Sequence, residues 1–198
     1  MESNTPYTEV SSVFEYLGIT GPSESSSLFD EIENWILAMS RYIDKYCNRV
    51  IYIEGGESAA EEFKYDGDNT SLLHIKDCVG IQEVKIDGVV YPSDKWVKYP
   101  ANKPYASRIA LVDGYIFTKG MQNVSITAIH AMNEELPEDV KLACTILVAG
   151  IYNARYGTGK SGTTEKIGNY SVSFDTQDQV ADFESVHKIL NGYKRISL

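Results

Sequence analysis

The most regular pattern in the chain lies between residues 28 and 46. Leu28, Ile32, Trp35, Ile36, Met39, Ile43 and Tyr46 recur in steps of three and four, which makes one helical face apolar throughout. Ser27-x-x-Asp30 resembles a capping box and opens this helix, which is expected to reach about Asn48. A shorter helix is predicted over 10–19, closed by Gly18, with Gly21-Pro22 and the serine-rich residues 23–27 as linker. Helix returns at Pro137, where Glu138 and Asp139 complement the dipole of a first turn. Its expected inward stripe is Val140, Ala143, Cys144, Leu147, Ile151 and Ala154. A last helix is predicted over 178–194, with Val180, Phe183, Val186, Leu190 and Tyr193 inward.

Between about Val50 and Ala131 the period changes to two, and β-branched and aromatic residues alternate with turn signals. Asp87-Gly88 separates 81–86 from 89–91, and Asp113-Gly114 separates 109–112 from 115–118. Both dipeptides are strong two-residue hairpin signals. A further strand is expected over 123–130. The same alternation reappears before the last helix, where Tyr170, Val172 and Phe174 point one way and Ser171, Ser173 and Asp175 the other. Gly168-Asn169 can turn this strand back on 164–167, so residues 162–175 read as a hairpin arm between two helices. A strand with one apolar face and few local partners tends to pair with a neighbour, often in another chain.

Together these elements predict an α+β fold. A bundle of about four helices, from residues 1–49 and 132–198, carries an antiparallel β-rich insertion over 50–131 and the β arm. A chain of 198 residues can bury enough surface to need no metal or disulfide staple. Cys47, Cys78 and Cys144 are odd in number and widely spaced, and are expected as reduced, buried thiols of an intracellular protein. No apolar run approaches the roughly 18 residues of a membrane span, and the start has no signal-peptide pattern.

The formal charge of −10 argues against a sequence-reading nucleic-acid binder, whose affinity needs clustered Lys and Arg. The charge is also uneven. The first 40 residues hold seven carboxylates and no Lys or Arg, whereas residues 187–198 hold Lys188, Lys194 and Arg195 and no acid. Opposite-sign ends suit head-to-tail contacts between subunits, and a solvated tail with a dipole-matched helix end explains them equally.

Residues 154–161 satisfy a relaxed phosphate-loop pattern ending in Lys160-Ser161, with Ala154 in place of the first glycine. That motif requires a strand before the loop and a helix after it. Here a helix precedes and a strand follows, so a glycine-rich connector is the better account. His74, His130 and His187 have no partner at metal spacing. The acidic run 65–69 lacks the carboxylate a calcium loop needs at position twelve, and a β-turn explains it. No catalytic residues, metal ligands or cofactor are expected.

Three segments in order resemble the head–tail connector (adaptor) family of tailed bacteriophages: residues 38–49, residues 136–155 and residues 163–174 followed by a closing helix. Tyr65-Asp66-Gly67 and the hairpin over 84–90 are similar to the β insertion of longer members. The resemblance implies a structural virion protein, not an enzyme, assembled in the host cytoplasm and placed in the neck. Such proteins form rings, commonly of twelve copies, beneath the portal. They extend the DNA channel and carry a stopper or tail-completion protein. DNA passes without sequence-specific contact, and a carboxylate-rich lumen would let it slide. On this expectation Ile167, Tyr170, Val172 and Phe174 form the contact between subunits, and Tyr193, Lys194 and Arg195 contact the portal. The alternatives are a stopper or tail-completion protein of the same virion, or a nucleotide-binding module using the Lys160 loop.

Overall fold

The computed structural model describes residues 5–24, 26–156, 163–167, 170–174 and 177–195, with backbone alone for residues 57, 163–167, 170–174 and 177–182. The chain divides into two compact units. One comprises Met1–Asn48 and Leu136–Leu198, the other Arg49–Glu135.

The first unit is helical: α1 (Val10–Leu17), α2 (Ser27–Cys47), then, beyond the second unit, α3 (Glu138–Tyr156) and α4 (Gln177–Asn191). Gly18 closes α1 in the left-handed region at φ 66, which suits a residue without Cβ. The cap of α2 lies one residue earlier than expected, because the Ser26 side chain, not that of Ser27, accepts from the Phe29 amide at 3.2 Å. Ser26→Ala is therefore expected to cost about 1 kcal/mol, read as a lower urea midpoint with unchanged slope. The α2 stripe buries Ile32, Trp35, Ile36, Met39 and Ile43, as its periodicity predicts.

The third helix differs from its prediction. It packs against α1, α2 and α4 in turn, so Thr145, Val148 and Ala149 are buried beside the expected stripe. In its last turn Ala154, expected inward, is exposed, while Arg155 and Tyr156 reach Glu31 and Trp35 of α2. In α4, Phe183, Val186 and Leu190 are buried. The segment before α1 belongs to this core too. Tyr7 is fully buried, its amide donating to Ser40 Oγ at 2.9 Å and its hydroxyl to Asp44 Oδ1 at 2.6 Å.

The second unit is antiparallel: β1 (Glu61–Gly67), β2 (Leu72–Ile86), β3 (Val89–Tyr91), β4 (Trp96–Tyr99), β5 (Ala106–Leu111) and β6 (Gly120–Ile129). The strand order is β1-β6-β2-β5-β4, with β3 also on β2. Strand β2 is long enough to serve two neighbours. Its first half pairs with β5 and its second with β6 and β3, and the register shifts between them. Gly80 sits in that shift at φ 55, where a side chain would be strained. The bend lets both halves face one core of Leu73, Ile75, Val84, Ile109, Phe117 and Ile126 and their neighbours. Incoming and outgoing chains are clasped at its base, where the Met132 amide donates to Val50 O and the Asn133 amide to Ile51 O, each at 3.0 Å.

The hairpin at Asp87-Gly88 forms as predicted, with Ile86 opposite Val89. The one at Asp113-Gly114 does not. Residues 113 and 114 turn the chain with positive φ, but Phe117 then bridges Thr70 instead of returning along β5. Both edges of β5 are already occupied, by β2 and β4.

A two-stranded hairpin, β7 (Thr163–Ile167) and β8 (Tyr170–Phe174), lies between α3 and α4.

Candidate assembly surfaces

Backbone register defines the hairpin. Ile167 lies opposite Tyr170, Glu165 opposite Val172 and Thr163 opposite Phe174. Directly opposed residues share a face, so Ile167, Tyr170, Val172 and Phe174 occupy one side of the ribbon by position. Strand β8 runs beside α3 and α4 of its own chain. The side chains of this ribbon, and the Lys160 loop, lie outside the described residues.

The tail after α4 is tied to the bundle. The Tyr193 hydroxyl donates to Asp139 Oδ1 at 2.7 Å, and burial, then this carboxylate, raises the phenol's pKa. Asp139 also accepts from the Val140 amide at 2.9 Å, in the first turn of α3. The Arg195 amide donates to Cys47 O at 2.8 Å, which satisfies a carbonyl at the end of α2. Lys194 Nζ stands 4.8 Å from the centre of the Tyr46 ring. That ring's hydroxyl donates to Asn191 Oδ1 at 2.8 Å. Thus two of the three tail residues hold the end of α4 against α2 and α3, while Lys194 is exposed.

Other surfaces were not singled out by the sequence. A shallow groove between α1 and α3 is lined by Glu15, Tyr16, Glu138, Lys141 and Leu142. On the β unit, Val89 and Val90 of β3, Val97 and Tyr99 of β4, and Met121 are exposed. Alternation predicts which strand residues point away from a core, but not which strands end up at an edge.

Among the described residues no group of three His, Cys, Asp or Glu could hold a metal ion, and no helix is long and apolar enough to cross a membrane. Cys47, Cys78 and Cys144 are buried, and burial raises the thiols of Cys78 and Cys144 to about 12. His187 packs between Tyr46 and Phe183. His130 is buried with its ring centre 3.7 Å from that of Phe63, and burial, then the Lys76 cation, lowers its pKa from 6.5 to about 4. The unfolded chain therefore takes up this proton first. The contribution of neutral His130 is complete above pH 6.5 and is lost as pH falls towards 4. Denaturation midpoints between these limits should fall less steeply in His130→Leu than in the parent.

A family model described as head completion protein matches residues 7–196. The chain belongs to the head completion protein family. This bears out the resemblance to phage connector proteins and makes the chain a structural head-completion protein of a virion. Among curated proteins none matches it. The fold of this head completion protein is similar to a chain in the "Neck of empty GTA particle computed with C6 symmetry", at TM-score 0.56 and 12% identity over 96% of this chain and 90% of that one. It is also similar to one in the "Neck of native GTA particle computed with C12 symmetry", at TM-score 0.51 and 10% identity over 85% and 84%. A chain of the "Virion of native gene transfer agent (GTA) particle" gives TM-score 0.50 and 14% identity over 96% and 90%.

Proposed function

We propose that this head completion protein is a ring-forming adaptor of the virion neck, attached to the portal, extending the DNA channel and docking the stopper or tail. The observation that carries the reading is the family match, which spans nearly the whole chain and both units. The likeness of fold to neck chains from particles of C6 and C12 symmetry supports a repeated, rotationally closed contact. The hairpin supplies such a contact: Ile167, Tyr170, Val172 and Phe174 lie on one side of a two-stranded ribbon whose outer edges suit strand addition. The acidic balance of the chain suits a conduit through which DNA slides without being held. No catalysis or cofactor enters this role.

The test is the mass of the purified protein by light scattering, with and without portal, followed by electron microscopy of the connector. A closed ring seated on the portal is the expected result. A single copy at the tip of a preformed neck would instead make it a stopper. Within this reading Tyr193, Lys194 and Arg195 form the portal-facing tail. Truncation there would also remove the bonds to Asp139 and Cys47, so a point change is the cleaner probe. Lys194→Glu is expected to weaken portal binding about tenfold, with a melting temperature lowered by no more than the loss of its contact with the Tyr46 ring. Unchanged binding would remove the tail from the interface.

A further inference from the structure

The sheet of the β unit ends in two open edges of opposite character. Strand β1 pairs only with β6, and β4 only with β5, so among the described residues no strand covers the outer side of either. On β1, Phe63 and Tyr65 are half-buried, while Glu61, Glu62, Lys64 and Asp66 are exposed. This edge carries three carboxylates and one ammonium. Strand β4 itself carries one ammonium and no carboxylate. Lys98 is exposed, and Arg108 lies opposite Tyr99 on the adjoining strand. Lys95 precedes the strand and is already engaged by Asp113 at 3.0 Å.

The β4 edge also keeps what solitary edges normally lose. Val97 and Tyr99 are 42% and 41% exposed on a strand whose outer side pairs with no strand among the described residues. Short length, one lysine and the following Pro100 guard it, yet exposed apolar residues on an open strand invite pairing. Charge then chooses the partner. Two β1 strands set antiparallel about Lys64 would place that lysine against its copy and Glu62 against Asp66, all like charges. A β1 edge brought to a β4 edge sets the carboxylates of Glu61 and Glu62 against a strand whose one charge is Lys98, with Arg108 one strand behind it.

We infer that the β4 edge of one copy receives the β1 edge of the next, joining the β units of neighbouring subunits into a continuous belt. The two edges sit at opposite ends of one sheet order, so the contact is heterologous: it does not stop at a dimer, and it makes a ring where the rotation between copies closes. Four residues of β4 make a small ladder, weaker than a standard interface, and it gains strength only where copies are held side by side. The inference rests on the ring reading above and adds a lateral contact distinct from the hairpin.

The test uses full-length protein assembled on the portal, carrying Glu62→Cys, Lys98→Cys or both, treated with a short bis-maleimide. The native thiols are buried and stay silent. The double variant is expected to give a ladder of covalent dimers, trimers and higher species, and each single variant none. Adding Glu61→Lys should lower the ladder about tenfold. Dimers from a single variant would overturn the inference in favour of edge-to-same-edge pairing. Rings visible by microscopy with no ladder from a folded double variant would overturn it while leaving the ring reading intact. Absence of both would remove the two together.

Discussion

Asp77→Ala is expected to destabilise the β unit by about 3–5 kcal/mol, the cost of leaving a buried charge without its partner. Arg49 Nε lies 3.3 Å from Asp77 Oδ2, with side chains only 10% and 4% exposed. The guanidinium cannot shed its charge or reach water readily. It is held over the Tyr105 ring at 5.4 Å, and its Nη1 is 3.2 Å from Met132 Sδ. Removing the carboxylate strands the cation among apolar groups. Removing both should be far milder: Arg49→Met with Asp77→Leu recovers most of the loss, because desolvation of the two charges is also avoided. Urea unfolding gives the magnitudes, and hydrogen exchange at β2 and β5 amides assigns them to this unit. Equal losses in the single and double variants would show that shape, not charge, dominates the site.

Tyr7→Ala should be as damaging to the helical unit, at about 3–5 kcal/mol. The ring is fully buried, so truncation opens a cavity that α1 and α2 can only partly fill. It also removes the hydroxyl that donates to Asp44. Tyr7→Phe separates these effects, since it keeps the packing and loses only the bond, at about 1–3 kcal/mol. If alanine and phenylalanine variants unfold at the same urea concentration, the hydrogen bond and not the cavity governs this end of the bundle.

Much of the fold was legible because it depends on local period. The α2 face, the left-handed Gly18 cap and the Asp87-Gly88 hairpin all follow from neighbours within a few residues. What escaped depends on occupancy at a distance. Asp113-Gly114 has the right turn chemistry, yet β5 has no vacant edge, and Phe117 gains more from full burial beside Thr70. The central position of α3 widens its buried face beyond any single stripe, and three surrounding helices set that width. Tyr7 precedes the first apolar run and gives no periodic signal, so its role comes from Ser40 and Asp44, more than thirty residues away.

The candidate surfaces divide the same way. Alternation and the Gly-Asn turn position were enough to place Ile167, Tyr170, Val172 and Phe174 on one side of a ribbon, and the β7–β8 register has them there. In sequence the tail shows its charge and its resemblance to a portal-contacting end, but not that Tyr193 and Arg195 are fastened to helix ends by Asp139 and Cys47. Sequence registers a charge but not the carbonyl waiting for the amide beside it. The open β1 and β4 edges were invisible for a related reason, since an edge is defined by which strands fail to arrive.

The paired amide bonds of Val50 with Met132 and Ile51 with Asn133 bear on how such a chain can change over time. They zip the two crossing segments shut at the foot of the β unit, so everything beyond behaves as a cassette hung from a fixed clip. Loops above the clip can lengthen, shorten or be exchanged at small entropic cost to closure, while the helices keep the same two attachment points. The loops of the β unit can thus vary while the crossing segments and the strands that end its sheet stay as they are.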